Sequence, residues 1–184
     1  MASIIKVNDI KDAGGNTIIS SNGSGTFTPS SSLATGNLAN TPAFFINKSS
    51  RQDLSNNTFV KITFDSVIFD TDSAYASDKF TVPTGKGGKY VIGTSLLTDA
   101  NAVSNYQYAN IKFYLNGAEK THHIHDIRNN AGFKISLLHE AVLDLSAGDY
   151  IEVYCRISDL SSTPDVVGNP VYQTYFYGYK LIGA

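Results

Sequence analysis

The sequence holds no tryptophan, one methionine, one cysteine and only three glutamates among 184 residues. Each scarcity narrows the reading. A lone cysteine, Cys155, excludes an internal disulfide, and its place in the alternating run IEVYCRI marks it as a buried, reduced thiol. With little glutamate and no Ala/Leu/Glu/Lys-rich stretch of 3.6-residue period, long helices are not expected. Lys and Arg number 14 against 16 Asp and Glu, a net charge of −2, and no basic run exists to neutralise a row of phosphates. Nucleic-acid binding is therefore not the expected role. No stretch approaches the roughly 18 apolar residues of a membrane span, and MASIIKVNDIKDAGG lacks the apolar core of a secretory signal. The expectation is a protein made in a cytoplasm, without membrane insertion.

What is abundant is aromatic. Tyr (11) and Phe (10) favour strands. The length suits one ordinary domain with an extension, enough to bury a core without staples. Residues 1–41 form that extension: after Ile4, Ile5, Val7 and Ile10 comes a run crowded with Ser, Thr, Gly and Asn, which cannot bury enough apolar surface to hold itself together. It reads either as an extended arm ordered by other copies or a partner surface, or as a linker.

From residue 42 to 184 short alternating runs separated by turn signals predict an all-β domain. In YANIKFYLNG, Ala109, Ile111, Phe113 and Leu115 share one face, and Asn116-Gly117 fits a tight hairpin turn with positive φ at both residues. The return strand is expected over Glu119 to Ile127. FKISLLHEAVLDL alternates on Phe133, Ile135 and Leu137, then on Ala141, Leu143 and Leu145. DYIEVYCRI places Ile151, Val153, Cys155 and Ile157 inward, with Tyr150, Glu152, Tyr154 and Arg156 outward. Val60, Ile62 and Phe64 share a parity that breaks before Val67 and Phe69, so the chain must change sheet or face near Asp65-Ser66. GKYVIGTSLLT sets Tyr90, Ile92, Thr94 and Leu96 against Val91, Gly93, Ser95 and Leu97. The final run, VYQTYFYGYKLIGA, is too aromatic for an open edge and should be central or covered.

In order along the chain, Phe64, Val67, Phe69, Tyr75, Phe80, Val82 and Pro83, then Gly88 and Tyr90, then Leu115-Asn116-Gly117, form an ordered set. Leu143, Leu145, Gly148 and Asp149 continue it, and Phe176, Gly178 and Leu181 close it. From about Pro42 to Ile182 this set resembles the globular C1q/TNF-like family. The resemblance implies a two-sheet antiparallel jelly-roll sandwich that forms a compact homotrimer. No Gly-X-Y stalk precedes the domain, which departs from the animal complement and hormone members. The opening IKVNDIKDAGGNTIISSNGSGTFT is similar to the openings of structural proteins of marine and cyanobacterial tailed phages. That similarity implies a virion protein fixed to other virion proteins through residues 1–41, serving capsid decoration or host-surface binding.

Several local features invite site readings. In THHIHD, His123 and His125 point to one side of a strand, and near a threefold axis three such pairs could hold a divalent metal; the plainer reading is an exposed polar strand. Asp70, Asp72 and Asp78 offer oxygen ligands for calcium, or simply make turns. Gly85 to Lys89, GKGGK, reads as a hairpin-like loop rather than a phosphate cradle. Tyr106, Tyr108, Tyr114, Tyr172, Tyr175, Tyr177 and Tyr179 could stack on a host-surface glycan. Behaviour implied by the resemblance assigns Tyr175, Tyr177 and Tyr179 to the trimer interface instead. No catalytic motif is present, and Glu119, Glu140 and Glu152 fall on separate strands, so no enzyme is expected. A free lectin-like protein and a polysaccharide hydrolase are the alternatives.

Overall fold

The computed structural model describes residues 8–24, 27–29, 40–101, 106–128, 132, 134–159, 163–169 and 171–182. The chain divides into two compact units, with the boundary between Asn40 and Thr41. In the first, β1 (Asp9–Lys11), β2 (Thr17–Ser21) and β3 (Phe27–Pro29) form a three-stranded antiparallel sheet in the order β1-β2-β3. Its turn is set by Asp12, whose Oδ1 accepts from the Gly14 and Asn16 amides at 2.9 Å each. Local pairing of this stretch was not foreseen from its composition.

The second unit contains β4 (Ala43–Asn47), β5 (Gln52–Asp53), β6 (Val60–Lys61), β7 (Ser66–Asp70), β8 (Tyr75–Ala76) and β9 (Lys79–Thr81). The long strands follow: β10 (Gly88–Asp99), β11 (Tyr106–Leu115), β12 (Ala118–Asp126), β13 (Lys134–Leu145) and β14 (Tyr150–Asp159). Then come β15 (Asp165–Val166) and β16 (Tyr175–Lys180). All pairings are antiparallel within two sheets. The first runs β5-β15-β10-β16-β4-β7 with β13 on the far side of β10; the second runs β12-β11-β14-β9-β8 with β6 also on β14.

Register follows the alternation. In β14 the odd residues Ile151, Val153, Cys155 and Ile157 are buried, and across β11 they meet Leu115, Phe113, Ile111 and Ala109. The hairpin between β11 and β12 turns on Asn116 (φ 53°) and Gly117 (φ 80°), a pair of left-handed residues that matches strand twist. The parity break at Asp65-Ser66 is a change of sheet: β6 pairs with β14, whereas β7 pairs with β4. β16 lies between β10 and β4, a central position. Phe133 falls outside the described residues, but β13 keeps one parity throughout, with Ile135, Leu137, His139, Ala141, Leu143 and Leu145 opposite the inward residues of β10.

The core is an aromatic cluster that ties the sheets together. Phe176 of β16 contacts Phe44 at 4.9 Å and Phe64 at 5.6 Å between ring centroids, and reaches Phe113 of the opposite sheet at 6.5 Å. Such rings bury large apolar areas, and edge-to-face pairs add about 0.5–1.5 kcal/mol each beyond area. At one end of the sandwich Arg51 closes a polar cluster, pairing with the fully buried Asp165 and, at 3.2 Å, with Asp99.

Candidate functional site

Because β10 and β16 are buried on one face by the core, their alternate residues line the opposite face of the first sheet. One row across that face reads Phe69, Phe45, Tyr177, Gly93 and Glu140, each the register partner of the next. The flanking rows carry Tyr179, Val91 and Val142 on one side and Tyr175, Ser95 and Leu138 on the other. The rings form a chain: Phe45 lies 6.3 Å from Phe69, 4.9 Å from Tyr175 and 5.7 Å from Tyr172, and Tyr175 lies 5.9 Å from Tyr177.

Tyr177 crosses the glycine. A β-carbon at Gly93 would stand 2.3 Å from the Tyr177 Cζ, so only glycine lets the ring lie there. The hydroxyl then donates to the Glu140 carboxylate on β13. Burial, followed by that carboxylate, pushes the Tyr177 hydroxyl up, so it remains a donor. Beside this contact Leu138 and Val142 project outward at 59% and 61% exposure. The three tyrosines singled out from sequence, Tyr175, Tyr177 and Tyr179, thus share one sheet face. Leu138, Val142, Phe45 and Phe69 join them, unforeseen; the signal was the pair of apolar residues at outward parity in ISLLHEAVL.

His123 and His125 lie on one side of β12, opposite Ile111 and Ala109. His123 is 5.8 Å from His139, a residue the sequence reading passed over. His139 sits at an inward position, 4.6 Å from the Phe113 ring, and its Nε2 is 2.8 Å from the Thr121 hydroxyl. Burial, then His123 and His122, pulls its pKa down. Among the described residues no three His, Cys, Asp or Glu gather as a metal site within one chain. Asp70 accepts from the amides of Ala74 (3.0 Å) and Tyr75 (2.8 Å), Asp78 accepts from the Phe64 amide (3.1 Å), and Asp72 faces Lys86 at 3.7 Å. These carboxylates are engaged separately as turn and loop acceptors. Tyr106 is buried in the core, Tyr108 and Tyr114 lie on the far face of the second sheet, and Tyr172 adjoins Phe45. Glu119 pairs with Lys112, Glu152 with Lys61, and Glu140 with Tyr177. No helix among the described residues is long and apolar enough to cross a membrane.

Two antiparallel sheets packed face to face in this order make the second unit a C1q/TNF-like jelly roll. The globular domain of zebrafish complement 1qA superposes with a TM-score of 0.51 at 13% identity, covering 76% of this chain and 97% of that one. The crystal structure of murine APRIL at pH 5.0 gives 0.55 at 13% identity, covering 76% and 98%. No family model matches the chain. Over 103 residues it is 34% identical to the uncharacterized protein YqcC of Bacillus subtilis (strain 168), a match spanning 52% of this chain but only 26% of that protein.

Proposed function

We propose that the chain is a non-catalytic structural module of a tailed-phage virion. It assembles as a homotrimer through the aromatic face of its first sheet and attaches to other virion proteins through residues 1–41. The observation that carries the trimer is that face itself. Phe45, Phe69, Leu138, Val142 and three tyrosines share one face around Glu140, with Phe69, Leu138 and Val142 exposed. A surface of this kind on a single chain marks an association site. Its occupant is a second copy of the chain, the association that the resemblance to C1q/TNF-like domains implies. The virion setting is supported by the similarity of residues 5–28 to phage structural-protein openings. In that setting the heads serve capsid decoration or host-surface binding.

Two measurements test this. Sedimentation equilibrium of the full chain should return the mass of three chains, and Leu138→Asp with Val142→Asp should reduce it to that of one. A monomeric parent chain overturns the trimer. Quantitative mass spectrometry of purified particles should find the chain in multiples of three, and its absence overturns the virion assignment.

A further inference from the structure

The far face of the second sheet carries a different chemistry. Phe59, just ahead of β6, lies over the cations of that face: Lys112 Nζ is 4.1 Å and the Arg156 guanidinium carbon 4.7 Å from its ring centroid. The Tyr108 ring also meets Arg156, with 5.0 Å from its centroid to the guanidinium carbon, and is held by a 2.7 Å hydrogen bond from its hydroxyl to Asn57 Oδ1. Under this pair, Asn110 Oδ1 accepts from Arg156 Nη2 at 2.8 Å and from His122 Nε2 at 3.3 Å, while its amide donates to the Ala109 carbonyl.

The charges around Arg156 are matched elsewhere. Lys61 pairs with Glu152, Lys112 with Glu119, and Arg128 with Asp126. Arg156 makes no ion pair among the described residues, and its Nε is buried without a hydrogen-bond partner. Burial, followed by the nearby Lys112 charge and, against the pull of Glu119, that of Arg156, holds His122 below its ordinary value. Arg156 is therefore a cation of this face without a counter-charge.

We propose that this face binds an acidic saccharide, with its carboxylate seated on Arg156 and its sugar ring against Tyr108 and Phe59. A guanidinium held against two rings and anchored through Nη2 on Asn110 keeps its remaining Nη hydrogens in a fixed direction, which suits a carboxylate oxygen. Flat aromatic walls suit the apolar face of a pyranose and are of less use to a flexible acidic peptide. The cations beside Arg156 are paired with carboxylates and do not form a row that could track phosphates, so a nucleic acid is the wrong occupant. Exposed Ile124, the register partner of Asn110, extends the apolar rim. The proposal rests on the preceding functional reading only in that trimerisation through the first sheet leaves this face in solvent.

The experiment is calorimetric titration of the full chain with a glucuronate-containing oligosaccharide. Parallel titrations use a neutral dextran oligosaccharide, sodium acetate and poly-glutamate. The uronate should bind, and the three comparators should bind at least about tenfold more weakly. Arg156→Gln should weaken uronate binding by about tenfold or more, as expected on losing a charge-assisted pair. Lys61→Gln removes the same charge from the same face, out of a matched pair, and should leave affinity within about twofold. No uronate binding, equal binding of acetate or poly-glutamate, or equal loss in the two variants overturns the site. Sedimentation of each variant keeps the two readings apart: a monomer that still binds uronate ends the trimer and leaves this site standing, and a trimer that binds none does the reverse.

Discussion

The ring of Tyr177 occupies the space that a β-carbon on Gly93 would need, and from there its hydroxyl reaches Glu140 two strands away. Gly93→Ala should therefore act on the aromatic face more than on the fold. The obstructing atoms belong to the far end of the tyrosine, which can swing outward by giving up its hydrogen bond to Glu140. Folding stability should change by no more than about 1 kcal/mol, the worth of one partly exposed hydrogen bond. Self-association should weaken by about tenfold or more, because the displaced ring no longer lies in the sheet face. Chemical denaturation together with sedimentation reads both quantities.

A second prediction concerns acid. His139 is neutral by preference in the folded chain, since burial and then His123 and His122 lower its pKa from 6.5. The unfolded chain binds the proton more readily, so stability rises with pH across this range. The contribution is complete above the unfolded value and is lost as pH falls from about 6.5 through the folded value. His122 acts in the same direction. The melting temperature should fall between about pH 7 and about pH 5, well above the range in which carboxylates titrate. His139→Gln should flatten that slope, and an unchanged slope would remove the histidine explanation.

Cys155 should be silent to thiol reagents in the native state. It is fully buried in β14, and burial pushes its thiol up to about 12, leaving almost no thiolate at neutral pH. Labelling by an aromatic disulfide reagent should track unfolding by denaturant, one thiol per chain. Rapid labelling of the folded protein would contradict the packing described for the second sheet.

Arg51→Ala should cost about 3 kcal/mol, although the arginine itself is nearly half exposed. The cost arises from its partner. Asp165 is fully buried, its pKa already raised by burial, and without Arg51 it retains Asn101 at 2.9 Å as its neutral donor. Urea unfolding measures the loss, and Asp165→Asn in the same background should recover part of it.

Phe176→Ala should destabilise the domain by about 3–5 kcal/mol, because its ring fills the space among Phe44, Phe64 and Phe113. Calorimetry of the variant at neutral pH checks this value.

The architecture was legible wherever one face of a strand is dry and the other wet. β11 and β14 announce themselves by strict alternation, and the Asn116-Gly117 turn fixes their hairpin with β12. The change of sheet at Asp65-Ser66 was readable from parity alone. What alternation cannot show is which outward face is left apolar. Leu138 and Val142 interleave with inward residues of the same kind, so the run ISLLHEAVL looks like a buried strand rather than a surface one. His139 escaped notice for a related reason: it takes an inward position in β13, and its neighbours His122 and His123 come from β12, the preceding strand in the chain but part of the other sheet. The pairing of β1, β2 and β3 was hidden by Ser/Gly/Asn composition, which reports low burial and says nothing of hydrogen-bond register.

The central place of β16 has a consequence for how the molecule comes together. Its neighbours β4 and β10 are synthesised long before it, and until residues 175–180 arrive each has an unfilled flank that could accept a strand from another chain. Ordering of the first sheet is thus postponed until residues 175–180 have been made, so a product cut short before Tyr175 would be a sticky fragment with open β-edges rather than a smaller folded protein.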